Sequence, residues 1–146
     1  MRRLRCVLFL LLSIFGLTTS ASAQQVGSAG KQESGFILET NYPNPFNPET
    51  KIPFVLFEDL FVDGKPVVVS LRIFNVLQQF ITAPTALNHP HGDGVPVLDL
   101  EYPYPGRFEA YWDGRNDRGR QVASGVYFVQ LTVNGKTRVL RMYVTK

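Results

Sequence analysis

The stretch GVYFVQLTVNGKTRVLRMYV, residues 125–144, decides the fold. Its centre, Asn134-Gly135, lies between two runs rich in Val, Leu, Thr and aromatic residues. Both central residues tolerate the positive φ that a type I′ turn demands. A two-residue turn there pairs Val133 with Lys136 and fixes every later pair: Leu131 with Arg138, Val129 with Leu140, Tyr127 with Met142. Successive strand side chains point to opposite faces, so these pairs form one mainly apolar face. The other face carries Phe128 across from Arg141 and Thr132 across from Thr137. Such a hairpin has a core side that further strands must cover.

Those strands are legible upstream. Short runs rich in Val, Ile, Phe and Tyr, separated by Gly, Pro, Asn and Asp, recur as GFILET, KIPFVLFE, PVVVSLRIFNV, QQFITA, GVPVLDLEY and RFEAYWDG. With the two arms of the hairpin they predict an all-β, immunoglobulin-like antiparallel β-sandwich of about seven or eight strands. Residues 36–146 suffice for one domain with one core. The Cys-Trp-Cys pattern of antibody domains is absent, and the likeness is one of architecture.

The chain starts Met-Arg-Arg-Leu-Arg, continues with the apolar run CVLFLLLSIFGL at 6–17, and reaches TTSASAQ. This order describes a secretory signal peptide over residues 1–23, cleaved after Ala23. The run is shorter than the roughly 20 residues of a membrane-spanning helix, so no transmembrane span is expected in the mature chain. Cys6, inside the run, is the only cysteine, which leaves no disulfide to hold the mature domain. Residues 24–35, QQVGSAGKQESG, read as a flexible leader.

Cleavage also removes the charge. The net +3 of the whole chain comes from Arg2, Arg3 and Arg5, while residues 24–146 balance 12 basic against 12 acidic groups. Nucleic-acid binding thereby loses its main electrostatic support. The charge is unevenly spread, however: residues 24–113 hold 5 basic and 11 acidic groups, and residues 114–146 hold 7 and 1. Two solvated faces are the plain reading of such runs.

NYPNPFNPET, residues 41–50, is the stiffest stretch. Its prolines fix φ and bias Tyr42, Asn44 and Asn47 toward extended backbone. Proline lacks the donor a central ladder needs, so this segment belongs at a sheet edge or leads into one, with Phe46 dropping into the core as an anchor. In YWDGRNDRGRQVASGVYF, 111–128, Asp113-Gly114, Asp117 and Gly119 are turn chemistry, and Ser124-Gly125 opens the next strand. A calcium loop would need an oxygen ligand at 115 and glycine at 118, where Arg115 and Arg118 stand.

In sequence order, NYPNPFNPETKIPFVL, VSLRIFNVLQQ, WDGRNDRGRQVASGVYFVQL and the terminal RMYVTK resemble the C-terminal sorting domain of type IX secretion cargo. That domain is in turn similar to the immunoglobulin-like domain of flagellar hook-capping proteins. The resemblance implies a β-sandwich appended to a secreted protein of a Gram-negative bacterium and read by an outer-membrane translocon. It also implies surface or extracellular localisation after periplasmic transit, often with attachment to surface lipopolysaccharide. Recognition would rest on Asn41, Tyr42, Pro43, Asn44, Pro45, Phe46, Asn47 and Pro48, on Trp112, Asp113, Gly114, Ser124, Gly125 and Tyr127, and on the basic end at Lys146. The signal peptide favours the sorting domain over the flagellar one.

Three departures from the family stand out. Only a short leader precedes the domain where a passenger would stand, so a chain that has lost its passenger is one reading. Leu77-Gln78-Gln79 replaces the usual Leu-Gly-Gln, which forces a non-glycine residue into a tight turn. The segment 84–106 is long for its connection and is expected to carry an extra strand or edge extension.

That segment holds His89, His91 and Asp93. Two imidazoles and a carboxylate can ligate zinc, yet no fourth ligand is identifiable, so a solvated loop without metal is expected. No cofactor is expected either. No activated nucleophile or phosphate-cradling loop is apparent, and the chain reads as non-enzymatic. The rival to sorting is a stand-alone adhesive or carbohydrate-binding module with Tyr102, Tyr104, Tyr111 and Trp112 as its aromatic platform.

Overall fold

In a computed structural model, which describes residues 35–146, nine strands form two antiparallel sheets. The signal peptide, its cleavage site and nearly all of the leader lie outside the described residues. Strands β1 (Phe36–Leu38), β2 (Thr50–Leu56), β7 (Gly106–Trp112) and β5 (Thr85–Leu87) make the first sheet, in the order β1-β2-β7-β5. In the second, β4 (Phe80–Thr82), β3 (Val67–Asn75), β8 (Gly125–Val133) and β9 (Lys136–Val144) lie side by side, and β6 (Leu100–Tyr102) also pairs with β3. Among the described residues, no helix is long and apolar enough to cross a membrane.

The hairpin β8–β9 forms as its turn dictates. The observed register runs from Val133↔Lys136 to Gly125↔Val144, and Asn134 and Gly135 take φ of 46° and 81°. Tyr127, Val129, Leu131 and Val133 are buried, as are Met142 and Val144 on the partner strand. They meet the inward residues of the first sheet, Ile52, Phe54, Leu56, Phe108, Ala110 and Trp112. Fully burying one large apolar side chain is worth about 1.5–3 kcal/mol, and without a disulfide this shared layer is what holds the sheets together.

Pro53 explains why β1 is so short. Pro53 O accepts from Glu39 N at 3.0 Å, but proline has no N–H to return the second bond. The ladder stops at Leu38↔Phe54 and the chain leaves toward the proline-rich corner, rejoining the β2 backbone at Tyr42↔Lys51.

The long segment departs from its expected form. GVPVLDLEY is not one strand: only Leu100–Tyr102 pairs with β3, while Val95–Val97 bonds to Pro84, Ala86 and Leu71 from outside any strand. The extra strand expected in this segment is β5, which raises the count to nine. His89 corrects the expectation of a solvated loop. It is buried, with its ring 4.7 Å from that of Tyr102; Nε2 donates to the Glu101 carbonyl at 2.8 Å and Nδ1 accepts from His91 N at 3.1 Å. His91 and Asp93 are exposed, and Asp93 Oδ1 accepts from Asn88 N. Both His89 nitrogens thus serve the backbone.

The connection between β3 and β4 needs a left-handed residue, and Gln78 supplies it at φ 60°. Asn75 Oδ1 accepts from Leu77 N and Gln79 N, both at 2.9 Å, which holds the loop closed. A left-handed residue costs less as glycine. Gln78→Gly is therefore expected to raise stability by about 0.5 kcal/mol, net of the extra freedom glycine has when unfolded. Urea unfolding checks this, and an unchanged or lower midpoint contradicts it.

Candidate functional site

The residues singled out by the motifs converge on one end of the sandwich. Phe46 is buried and meets Trp112 edge-on at 5.2 Å, and Trp112 meets Tyr127 from the other sheet at 5.6 Å. Edge-to-face pairs of this kind add about 0.5–1.5 kcal/mol each beyond the area they bury. The Phe46 anchor expected from the sequence is in place.

The backbone of the corner is tied to the last strand. Phe46 N donates to Tyr143 O at 3.0 Å, Thr145 N donates to Phe46 O at 2.9 Å, and Tyr143 N donates to Asn44 Oδ1 at 3.1 Å. A segment between two strands of the first sheet thus caps the outer edge of the second, the edge placement its prolines require. The Tyr42-Pro43, Asn44-Pro45 and Asn47-Pro48 peptide bonds are cis. Beneath the corner, buried Asn41 donates through Nδ2 to Pro43 O at 3.1 Å and to Thr50 Oγ1 at 3.0 Å, and Thr50 Oγ1 donates to Pro43 O at 2.9 Å. Pro43, Pro45, Asn47 and Pro48 form an exposed rim above this polar interior.

The turn after β7 completes the junction. Trp112 Nε1 donates to Arg115 O at 2.9 Å, and Asp113 Oδ1 accepts from Arg115 N at 3.0 Å. Tyr127 OH donates to Ala123 O at 2.9 Å, a bond that fixes the chain where β8 begins. Gly114 sits at φ 71° directly under the corner, where a Cβ would lie 2.4 Å from Pro48 O. Ser124 and Lys146 are exposed at the margins of this junction.

The outer surface beside the corner carries polar groups that the motifs did not indicate. Tyr42 OH donates to Glu109 Oε1. Glu109 also faces Arg107 at 3.2 Å and Lys51 at 3.8 Å, and Arg107 reaches Glu39 at 2.9 Å. The Tyr42 bond, reinforced by Arg107 and Lys51, holds the Glu109 carboxyl below its ordinary range. Next to it, Tyr111 donates to Glu49 Oε2, and its phenol is pushed up to about 12, mainly by that bond. Tyr42, Pro43, Glu49, Thr50, Lys51 and Tyr111 enclose a shallow cleft of about 140 Å3. The signal was the strand alternation of β2 and β7, which places Lys51 opposite Tyr111 and on one side with Glu109.

The aromatic platform is not assembled. Tyr102 and Trp112 are buried, their rings spent on core contacts, while Tyr104 is exposed beside Phe108. Large buried aromatics contribute packing, so Tyr102 and Trp112 do not join Tyr104 and Tyr111 in one exposed platform.

Two outcomes test this geometry. Gly114→Ala should lower stability by about 3 kcal/mol, from overpacking against the Pro48 carbonyl plus a disfavoured φ. A thermal melt within a degree or two of the parent contradicts the close approach. Tyr42→Phe should raise the Glu109 pKa toward the normal carboxylate range. Because the folded value is depressed, the Glu109 contribution to stability is present above the normal carboxylate range and is lost as pH falls from there through the lower folded value. Carboxyl NMR titration reads the shift, and an unmoved Glu109 contradicts it.

No family model and no curated protein matches the chain. Solved structures to which the chain is similar include the following. PorZ, a surface component of the type IX secretion system of Porphyromonas gingivalis, is 19% identical over 73% of this chain and 11% of its own, with a TM-score of 0.41. Latent dimeric PorU from the same organism is 16% identical over 77% and 10%, with a TM-score of 0.51. The alkylpurine DNA glycosylase AlkC of Pseudomonas fluorescens is 12% identical over 78% and 31%, with a TM-score of 0.46. The chain therefore spans about a tenth of PorZ and of PorU. At 16% identity the likeness to PorU is one of fold.

Proposed function

We propose that the chain is an exported, non-enzymatic domain whose proline-rich corner and last strand together act as a sorting and cell-surface attachment signal of the type IX kind. The observation that carries this reading is the convergence of the proline-rich corner, the Trp112-Asp113-Gly114 turn, Tyr127 and the end of the last strand on one end of the sandwich. The corner is clamped to the last strand through Phe46, Asn44, Tyr143 and Thr145. Recognition by a translocon requires a surface of fixed shape, and a stiff loop bonded to the chain's final strand provides one at little cost in ordering on binding. Within this reading the exposed rim of Pro43, Pro45, Asn47 and Pro48 is the part an outer-membrane partner reads, and Phe46 and Trp112 hold it in position. Surface lipopolysaccharide would be the final attachment point. The adhesive alternative keeps the same fold without sorting; its sugar-binding form loses support from the burial of Tyr102 and Trp112.

The test fuses a periplasmic reporter ahead of residues 24–146, behind the chain's own signal sequence, in a host with a working type IX translocon. Reporter is expected at the surface or in the medium. Asn44→Ala removes one tether of the corner, which is worth about 1 kcal/mol, so the domain should stay folded while export falls. Reporter retained in the periplasm with the intact, folded domain overturns the sorting reading and leaves the adhesive one.

A further inference from the structure

The edge of the second sheet is only partly capped. A two-residue turn makes Val133 and Lys136 a hydrogen-bonded pair, so bonded and non-bonded pairs alternate from there along β8–β9. Thr137, Val139, Arg141 and Tyr143 consequently turn their backbone N–H and C=O groups away from β8. The corner takes those of Tyr143, through Asn44 and Phe46. Among the described residues, Val139 and Arg141 find no backbone partner on that side, and the Thr137 carbonyl meets only the guanidinium of Arg138, at 3.5 Å. An open strand edge of this kind is a template for an added strand.

The side chains along the edge restrict what can be added. Strands β3, β8 and β9 contain no Asp or Glu, whereas Arg72, Lys136, Arg138 and Arg141 all lie on them. Lys136, Arg138 and Arg141 are exposed on β9 itself, and Arg138 also lies over the Phe36 ring at 5.4 Å. Val139, 54% exposed, borders an open groove of about 540 Å3 whose floor includes Phe74, Phe128 and Gln130. A second copy pairing β9 against β9 would set cation against cation, which is unfavourable for directly opposed side chains.

We infer that the β9 edge from Thr137 to Arg141 is a docking site for an extended polypeptide segment of alternating acidic and apolar residues, added as a further strand of the second sheet. The main-chain groups of Val139 and Arg141 supply register. Carboxylates of the guest pair with Lys136 and Arg138, which share one face of β9, and its apolar side chains, on the other face, enter the groove beside Val139 and Phe128. The corner ends the site by occupying the next position. The inference does not rest on the export reading, since the edge and its charges are present wherever the chain is delivered.

The test adds a decamer of alternating glutamate and valine to the isotopically labelled chain and follows amide hydrogen exchange by NMR, with a lysine–valine decamer as the control. Exchange is expected to slow by about tenfold or more at Val139 and Arg141, while Arg138 and Leu140, already bonded to β8, stay unchanged. The lysine decamer should give no such pattern. Val139→Pro removes one outward donor and no bond to β8, a position where an edge strand tolerates proline, and should abolish the protection. The double change Lys136→Glu, Arg138→Glu, on the face that meets the guest's charges, should transfer binding to the lysine decamer, which decides the matter if the proline variant fails to fold. Equal protection by both decamers, shifts confined to the groove without slowed exchange, or amides of Val139 and Arg141 already protected in the free chain would each overturn the inference.

Discussion

The insertion of Phe46 between the sheets is the constraint on which the rest of the junction depends. Its ring meets Trp112 from the first sheet, Trp112 meets Tyr127 from the second, and its backbone bonds to the last strand on either side of Val144. One residue thereby ties three segments distant in sequence. The prolines around it make this possible by restricting the loop before it docks, so less conformational freedom is lost on closure. Gly114 is the counterpart: the corner can descend this far only because no Cβ stands under the Pro48 carbonyl.

The two outer faces of the sandwich differ in kind. Outside β2 and β7, acids and bases alternate closely, with Glu39, Arg107, Glu109 and Lys51 linked in one exposed network. Such contacts contribute little stability singly, because solvent screens them. Outside β3, β8 and β9, cations stand among exposed apolar groups with no carboxylate on the same strands. The charge asymmetry seen along the sequence is thus in part a difference between the sheets, since Lys136, Arg138 and Arg141 all lie on β9.

What could be read from the sequence follows the range over which each cause acts. The β8–β9 register was legible residue by residue because two turn residues set it. The Gln78 turn was legible for the same reason, as was Phe46, a single large apolar side chain among prolines. The segment from 84 to 106 was not. The burial of His89 comes from Tyr102 and the Glu101 carbonyl, more than ten residues away, and no local pattern separates that histidine from exposed His91. Trp112 was easier, since a tryptophan beside a turn is more often a core or corner residue, and its contact with Tyr127 from the other sheet shows that it is one. The polar network around Glu109 escaped notice because it joins strands whose pairing was not derivable from short-range signals.

Tyr143 N and Asn44 are bonded across 99 positions, and so are Thr145 and Phe46. This separation sets the order of events during synthesis. The corner is made early and can meet Trp112 and Gly114 once β7 and its turn exist, but its bonds to the last strand wait for Tyr143 and Thr145. Contacts this distant in sequence form slowly, because a long loop must close before any of them is made. The bonds between the corner and the last strand are therefore among the last contacts this domain can make, after the rest of both sheets is available to pair.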